Sequence, residues 1–290
     1  MELQGRVKAL QEQGLGLAAV SYDSREILAA FAKQNGITFP LLSDPGSATI
    51  RRYGILNTVV DEALGPNADD PRVRAEVEQY VSAANPRANM QGIPFPGTFV
   101  LDRQGRVTSR AFEDFYRERV TTSNVLTRLG LNGGVVAGQQ VATMHLELTT
   151  APSDASVVPG NRFALVLDIT PRPGMHVYAP GATAYRTITL SVAPQPFLRV
   201  LPLAYPPSEI YHFVPLDERV PVYQKPFRLS QEVVIDVDQK AQAALRGQEA
   251  LTIAGTLEYQ ACDDTICYNP VSLPLSWRVE LRGNVPGLAR

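Results

Sequence analysis

Residues 250–281 read ALTIAGTLEYQACDDTICYNPVSLPLSWRVEL. Apolar and polar residues alternate through Ala250–Ala261 and again through Leu273–Leu281, the period expected of strands with one buried face. Between the two runs stand Cys262 and Cys267, the only cysteines of the chain. Two cysteines cannot staple a chain of 290 residues. They are also too few for a structural zinc site, because His145, His176 and His212 lie far from them in sequence. A local redox pair, a structural disulfide and two buried thiols remain as readings. A bridge across so small a loop adds little by chain entropy, which favours the redox reading over a purely structural bridge. Tyr259 and Tyr268 flank the pair and are expected to wall it. Asp263 and Asp264 read by default as a solvated turn; if they act on Cys262, their charge disfavours its thiolate.

Outward from this segment, the same period of two runs back to Ala142 through MHLELTT, RFALVLDIT, TITLSV and QEVVIDV, with Pro and Gly between the runs. Of the 23 prolines, 16 follow residue 140, where turns and strand ends tolerate them better than helices would. Six or more short strands over this half predict a β-sandwich, with Trp277 in its core.

The first half has a different rhythm. A helix over 2–13 is followed by the apolar run Leu15–Tyr22. A second helix, 25–34, is capped by Asp23-Ser24 and closed by Asn35-Gly36. A strand at 39–42, a short helix at 47–53, a hairpin pair at 98–102 and 107–112, and a last helix at 121–129 complete an α/β alternation. Residues 57–92, with a helical stretch at 70–83, read as an insertion, and the Gly-rich stretch 130–140 reads as a linker. Gly14-Leu15-Gly16 mimics a dinucleotide fingerprint, but it follows a helix and precedes a strand, the reverse of what that motif needs. By spacing alone Ile93-Pro94-Phe95-Pro96 reads as an ordinary strand-entry loop, with a tight cis turn as the other reading. Pro-x-Thr-Phe followed by apolar residues and Asp, after the α/β order, resembles the cis-proline strand of thioredoxin-fold proteins, and that resemblance implies a cis proline, Pro96 first and Pro94 second.

Hydrophobic residues are 44% and charged residues 19%, ample for a core. The net charge of −2 gives no basic footprint for nucleic acid. No apolar stretch is long enough to span a bilayer. The first residues, MELQGRVK, lack the apolar centre of a signal peptide.

Residues 1–130, through GLGLAAVSYDS, FAKQNGITFPLLSD, YGI and PGTFVLDRQGRV, resemble the alkyl hydroperoxide reductase/thiol-specific antioxidant (redoxin) family. That resemblance implies a thioredoxin fold. The family's cysteines open the helix after its first core strand, and the corresponding helix here begins near Met1. The expectation is therefore an incomplete domain whose first strand, cysteine motif and secretion signal lie upstream of residue 1. LGLAAVSY and PGTFVLD then face a gap, and no residue here takes the peroxidatic role.

Residues 142–283 resemble the N-terminal domain of DsbD-type thiol:disulfide interchange proteins, an immunoglobulin-like sandwich with a Tyr-Gln-x-Cys…Cys-Tyr hairpin. This resemblance implies that Cys262 and Cys267 are the exchanging pair, with Cys267 forming the mixed disulfide. It makes His176 and Tyr178, in GMHVY, pocket residues. It places 211–223 as a cap over the disulfide, with Phe213 and Leu216 as candidate tip residues and Tyr223 on the strand leaving it.

The expected organisation is an incomplete α/β thioredoxin-like domain (1–132), a linker (133–141), an all-β immunoglobulin-like sandwich (142–283) and a tail (284–290). The expected function is thiol–disulfide exchange in the periplasm or cell envelope, with an antioxidant or redox-relay role. It needs no metal or organic cofactor and works with a thioredoxin-like or membrane thiol:disulfide electron-transfer partner. The alternatives are a non-catalytic immunoglobulin-like interaction module, or a peroxidase whose cysteine lies upstream of this chain.

Overall fold

The computed structural model describes residues 2–59, 62, 65, 66, 68–71, 73, 74, 92–112, 118–131, 136, 138–214 and 217–283. Most of the helical stretch expected at 70–83, the tip residue Leu216 and the 284–290 tail lie outside them. The chain forms two compact units, Met1–Arg119 and Val120–Arg290.

The first unit contains α1 (Glu2–Glu12), β1 (Ala19–Ser21), α2 (Arg25–Asn35), β2 (Leu41–Ser43), α3 (Ala48–Arg52), β3 (Gly97–Leu101) and β4 (Val107–Phe112). Helix α1 buries Val7 and Leu10 but leaves Leu3 exposed. Ser24 caps α2 by accepting from the Ile27 amide, and Gly36 closes it at φ 61°, where a side chain would be strained. Asp44 accepts from the Thr49 and Ile50 amides and so starts α3. The turn between β3 and β4 is built by Asp102, whose Oδ1 accepts from the Gln104 and Arg106 amides.

β1 pairs with β2 in parallel, and β3 pairs with β4 antiparallel. Among the described residues no ladder joins the two pairs, and β1 and β3, the strands expected to face a gap, are not paired with each other. The loop into β3 also corrects an expectation: no peptide bond among the described residues is cis, so Pro96 and Pro94 are trans. Pro94 lies in an extended bridge beside Leu56, and the Phe95 amide donates to the Ile55 carbonyl. An extended approach of this kind needs no tight turn.

In the second unit, strands dominate: β5 (Arg119–Val120, at the division), β6 (Gln139–Ala142), β7 (Leu146–Pro152), β8 (Ser156–Val157), β9 (Asn161–Pro171), β10 (His176–Tyr178), β11 (Thr189–Val192), β12 (Leu198–Val200), β13 (Glu209–Phe213), β14 (Glu218–Tyr223), β15 (Phe227–Ile235), β16 (Ala250–Tyr259), β17 (Ala261–Cys262) and β18 (Val271–Leu281). Two helices, α4 (Thr122–Arg128) and α5 (Gln239–Leu245), accompany them. α4 packs on β9. The helix read from sequence as the end of the first domain thus sits with the β unit, ahead of the Gly-rich stretch rather than across it. The physical reason is a set of specific bonds: Thr121 donates to Asp154, and Asn124 donates to Glu232.

One sheet runs β12-β15-β9-β7-β6 and another runs β11-β16-β18-β8. Their inner faces share one core, with Leu148, Phe163, Leu165 and Val233 from the first meeting Leu251, Ile253, Tyr259 and Trp277 from the second. This mostly β arrangement is consistent with an immunoglobulin-like sandwich. Each fully buried large side chain contributes about 1.5–3 kcal/mol relative to exposure. Trp277 Nε1 donates to Thr150 Oγ1. Its ring lies so near Gly255 that an added Cβ would come within 2.9 Å of it. A third sheet, β13-β14-β10-β17, carries Cys262, and Cys267 bridges to it from beyond the following turn.

Candidate functional site

Strand alternation creates the site. In β10 and its neighbours, Val177, Ala261 and Tyr223 turn into the main core, while Tyr178, Val222 and Cys262 gather in a second, smaller cluster with Ala182 and Val220. His176 is the direct cross-strand partner of Cys262. His176, Tyr178 and Cys262 therefore share one face of the sheet.

Cys262 and Cys267 are joined by a disulfide, with Cα atoms 4.1 Å apart. Their surroundings are unequal: Cys262 is 1% exposed, whereas Cys267 is exposed. The Tyr178 hydroxyl lies 2.9 Å from Cys262 Sγ and 3.4 Å from Cys267 Sγ. Tyr178 stacks on Tyr185 at 3.9 Å, and Tyr185 donates to Glu218 at 2.6 Å. Burial pushes the Tyr178 hydroxyl far above its ordinary pKa, and Tyr185 and Glu218 add to the effect. It is a neutral hydrogen-bonding group at every physiological pH.

The turn between the cysteines is organised by Asp263. Its Oδ1 accepts from the Thr265 amide, the Thr265 hydroxyl and the Ile266 amide, and its Oδ2 accepts from the Tyr268 hydroxyl. These bonds, led by those from Thr265 and Ile266, hold its carboxyl well below the usual carboxylate range. Asp264 instead accepts from the Tyr211 hydroxyl at 2.7 Å, which pushes that phenol up to about 12. Gln260 anchors the turn by donating to the Tyr268 carbonyl. The acidic pair thus builds the turn and ties it to β13, a role that neither the solvated-turn nor the charge-tuning reading contained.

His176 is 2% exposed; its ring lies 4.5 Å from that of Tyr211 and 5.5 Å from that of Tyr178. Burial lowers its pKa, while Asp264 and Asp263 pull it back upward. Its Nδ1 is buried without a hydrogen-bond partner.

The sequence candidates divide. His176 and Tyr178 stand against the pair, and Tyr268 braces its turn. Tyr259 is fully buried in the main core, its hydroxyl 2.9 Å from that of Thr143. Tyr223 also joins that core, stacked on Phe227 and donating to the Pro206 carbonyl. Neither walls the disulfide. Of the 211–223 stretch, Val220 and Val222 pack with Cys262 and Tyr211 covers His176. Phe213 pairs with Glu218 near the hairpin tip, outside that cluster. Tyr185 and Glu218 were not singled out from sequence; they come from an irregular segment and a strand start that carry no motif. Among the described residues, no group of three or more His, Cys, Asp and Glu side chains is placed to hold a metal ion, and no helix is long and apolar enough to cross a membrane.

Residues 1–110 match the model of the AhpC/TSA family, and residues 146–273 match that of the N-terminal region of the thiol:disulfide interchange protein DsbD. Among solved structures, the chain is similar to the Neisseria meningitidis DsbD N-terminal domain in the reduced form. That match has 17% identity and a TM-score of 0.28, covering 40% of this chain and 81% of that one. It is also similar to the N-terminal periplasmic domain of ScsB from Proteus mirabilis, with 15% identity and a TM-score of 0.35. That match covers 49% of this chain and about half, 51%, of the ScsB chain. No curated protein matches. The two family matches and the Cys262–Cys267 disulfide support a thiol–disulfide redox role.

Proposed function

We propose that this chain relays electrons by thiol–disulfide exchange through Cys262 and Cys267. The observation that carries the reading is the inequality of the two sulfurs: Cys267 is open to an attacking thiolate, and Cys262 is buried against a hydroxyl. A partner dithiol attacks Cys267 Sγ as its thiolate. The disulfide breaks, a partner–Cys267 mixed disulfide forms, and Cys262 departs with the electron pair. The Tyr178 hydroxyl is placed to donate to the departing sulfur. The partner's second thiol then attacks its own sulfur in the mixed disulfide, leaving the partner oxidised and both cysteines reduced, with two electrons and two protons transferred. Running the same steps in reverse passes the electrons on, with Cys262 resolving.

The partner in this reading is a thioredoxin-like or membrane thiol:disulfide protein in the periplasm or cell envelope, and the β13–β14 hairpin is the cap that moves aside when it docks. The first unit contributes no thiol, since the chain has no cysteine before Cys262; in this reading it is a redoxin-like domain of non-catalytic role within these residues. The test is trapping. Cys262→Ala should accumulate a mixed disulfide through Cys267 with a thioredoxin-type protein whose resolving cysteine has been removed and whose remaining thiol is activated as its thionitrobenzoate disulfide, the thionitrobenzoate leaving as the new bond forms, and Cys267→Ala should not. A disulfide that thioredoxin-type dithiols leave oxidised overturns the proposal and returns the pair to a structural bridge.

A further inference from the structure

We infer that His176 is the proton partner of Cys262: on reduction, the imidazole and the departing sulfur share one proton, so that Cys262 leaves as a thiolate facing an imidazolium. This rests on the exchange reaction proposed above and adds to it an acid–base group.

The first support is position. His176 and Cys262 are directly opposed across β10 and β17, which places their side chains on one face with Cβ atoms about 5 Å apart. The second is an unmet hydrogen bond. His176 is almost wholly buried, and its Nδ1 has no partner while the disulfide is closed. Unpartnered buried nitrogens are uncommon and costly. A disulfide sulfur has no proton to give and is a poor acceptor. Reduction converts Cys262 into a thiol or thiolate, either of which can bond an imidazole. The oxidised state leaves Nδ1 unsatisfied, and in this inference the reduced Cys262 is its partner.

The third support is elimination among the groups that face the ring. From β10, Tyr178 is a phenol held neutral by burial. From β13, Tyr211 is committed to Asp264. From the turn, Asp263 is saturated by Thr265, Ile266 and Tyr268. Both carboxylates nonetheless favour positive charge on His176, whereas burial disfavours it. A thiolate appearing opposite the ring adds a third negative charge and tips this balance toward imidazolium. The proton balance closes: the attacking thiol loses its proton to water on becoming a thiolate, and one proton returns from water to the His176–Cys262 pair. The electrons come from the partner dithiol, which ends as a disulfide.

Two measurements test this. In Cys267→Ser protein, the ultraviolet absorbance of the Cys262 thiolate is followed against pH, alone and combined with His176→Phe or His176→Gln. Cys262 should titrate about one unit higher in both combinations, roughly a tenfold loss in thiolate-to-thiol ratio at a given pH. In the unsubstituted chain, the His176 ring signal is titrated by NMR in the oxidised and dithiothreitol-reduced states. Its pKa should rise on reduction, the reciprocal of its effect on the thiol. The NMR arm needs no substitution, so a poorly folded variant does not leave the question open. A ring that titrates at the same pH in both redox states, or a Cys262 titration unmoved by both substitutions, overturns the inference. If dithiothreitol and thioredoxin-type dithiols leave the disulfide closed, it is the exchange reaction itself that fails.

Discussion

Replacing Tyr178 by Phe removes one oxygen, 2.9 Å from Cys262 Sγ, and leaves the ring to keep its stack on Tyr185. In the oxidised protein that oxygen faces sulfurs with little capacity to accept. In the reduced protein it can donate to a buried thiolate, a hydrogen bond to a charged group worth about 1.5–3 kcal/mol. The substitution therefore destabilises the reduced state selectively. For a two-electron couple, 30 mV corresponds to about 1.4 kcal/mol, so the potential should fall by about 30–65 mV. The pKa of Cys262 should rise in step, because its thiolate has lost a donor. Equilibration in glutathione redox buffers, with the dithiol and disulfide forms separated by alkylation, measures the shift. The Cys262→Ala, Tyr178→Phe double variant should show no corresponding change in the pKa of the remaining Cys267, whose sulfur lies farther from the hydroxyl at 3.4 Å. A potential that stays put or becomes more oxidising would refute the reasoning and reduce Tyr178 to a packing residue.

The depressed carboxyl of Asp263 predicts a turn that resists acid. A carboxylate held below its unfolded value contributes structure that is present above pH ~4 and lost only as pH falls through its own lower pKa. With the imidazole removed in His176→Phe, reduction rates with small thiols, corrected for thiolate concentration, should thus show no step between about pH 4 and 8. Asp263→Ala should speed reduction across that whole range by loosening the turn, and an unchanged rate would remove Asp263 from this role. Gly255→Ala should destabilise the β unit by about 1–3 kcal/mol, because the new methyl meets both the Ser191 carbonyl and the Trp277 ring at 2.9 Å. Thermal unfolding of residues 120–290 should fall by about 2–4 °C for each kcal/mol. Glu232→Ala strips Arg162 and Asn124 of their shared acceptor and should cost about 1.5–3 kcal/mol, read by denaturant titration.

Much of this molecule is written locally in its sequence. The cap at Ser24, the stop at Gly36 and the Asp102–Gly105 turn each depend on residues a few positions apart, so a linear reading finds them. The period of two through 250–261 and 273–281 likewise announced strands, and the two close-spaced cysteines marked the segment between them as the place to look for a site. What only the tertiary structure decided is which side of a strand faces which cluster, and which distant groups meet there. Tyr223 and Tyr259 look like Tyr178 in sequence, but register turns the first two into the main core and the third onto the sulfurs. Pro96 was expected to be cis from a resemblance alone, yet it is trans, and the segment enters β3 extended, with Pro94 bridged to Leu56. His176 opposite Cys262, Tyr211 tied to Asp264, and Tyr185 bonded to Glu218 join residues 33 to 86 positions apart, through pairing that no local pattern encodes. Local chemistry names an element and its turns; cross-strand register, set by which face can be buried, selects the partners that make the site.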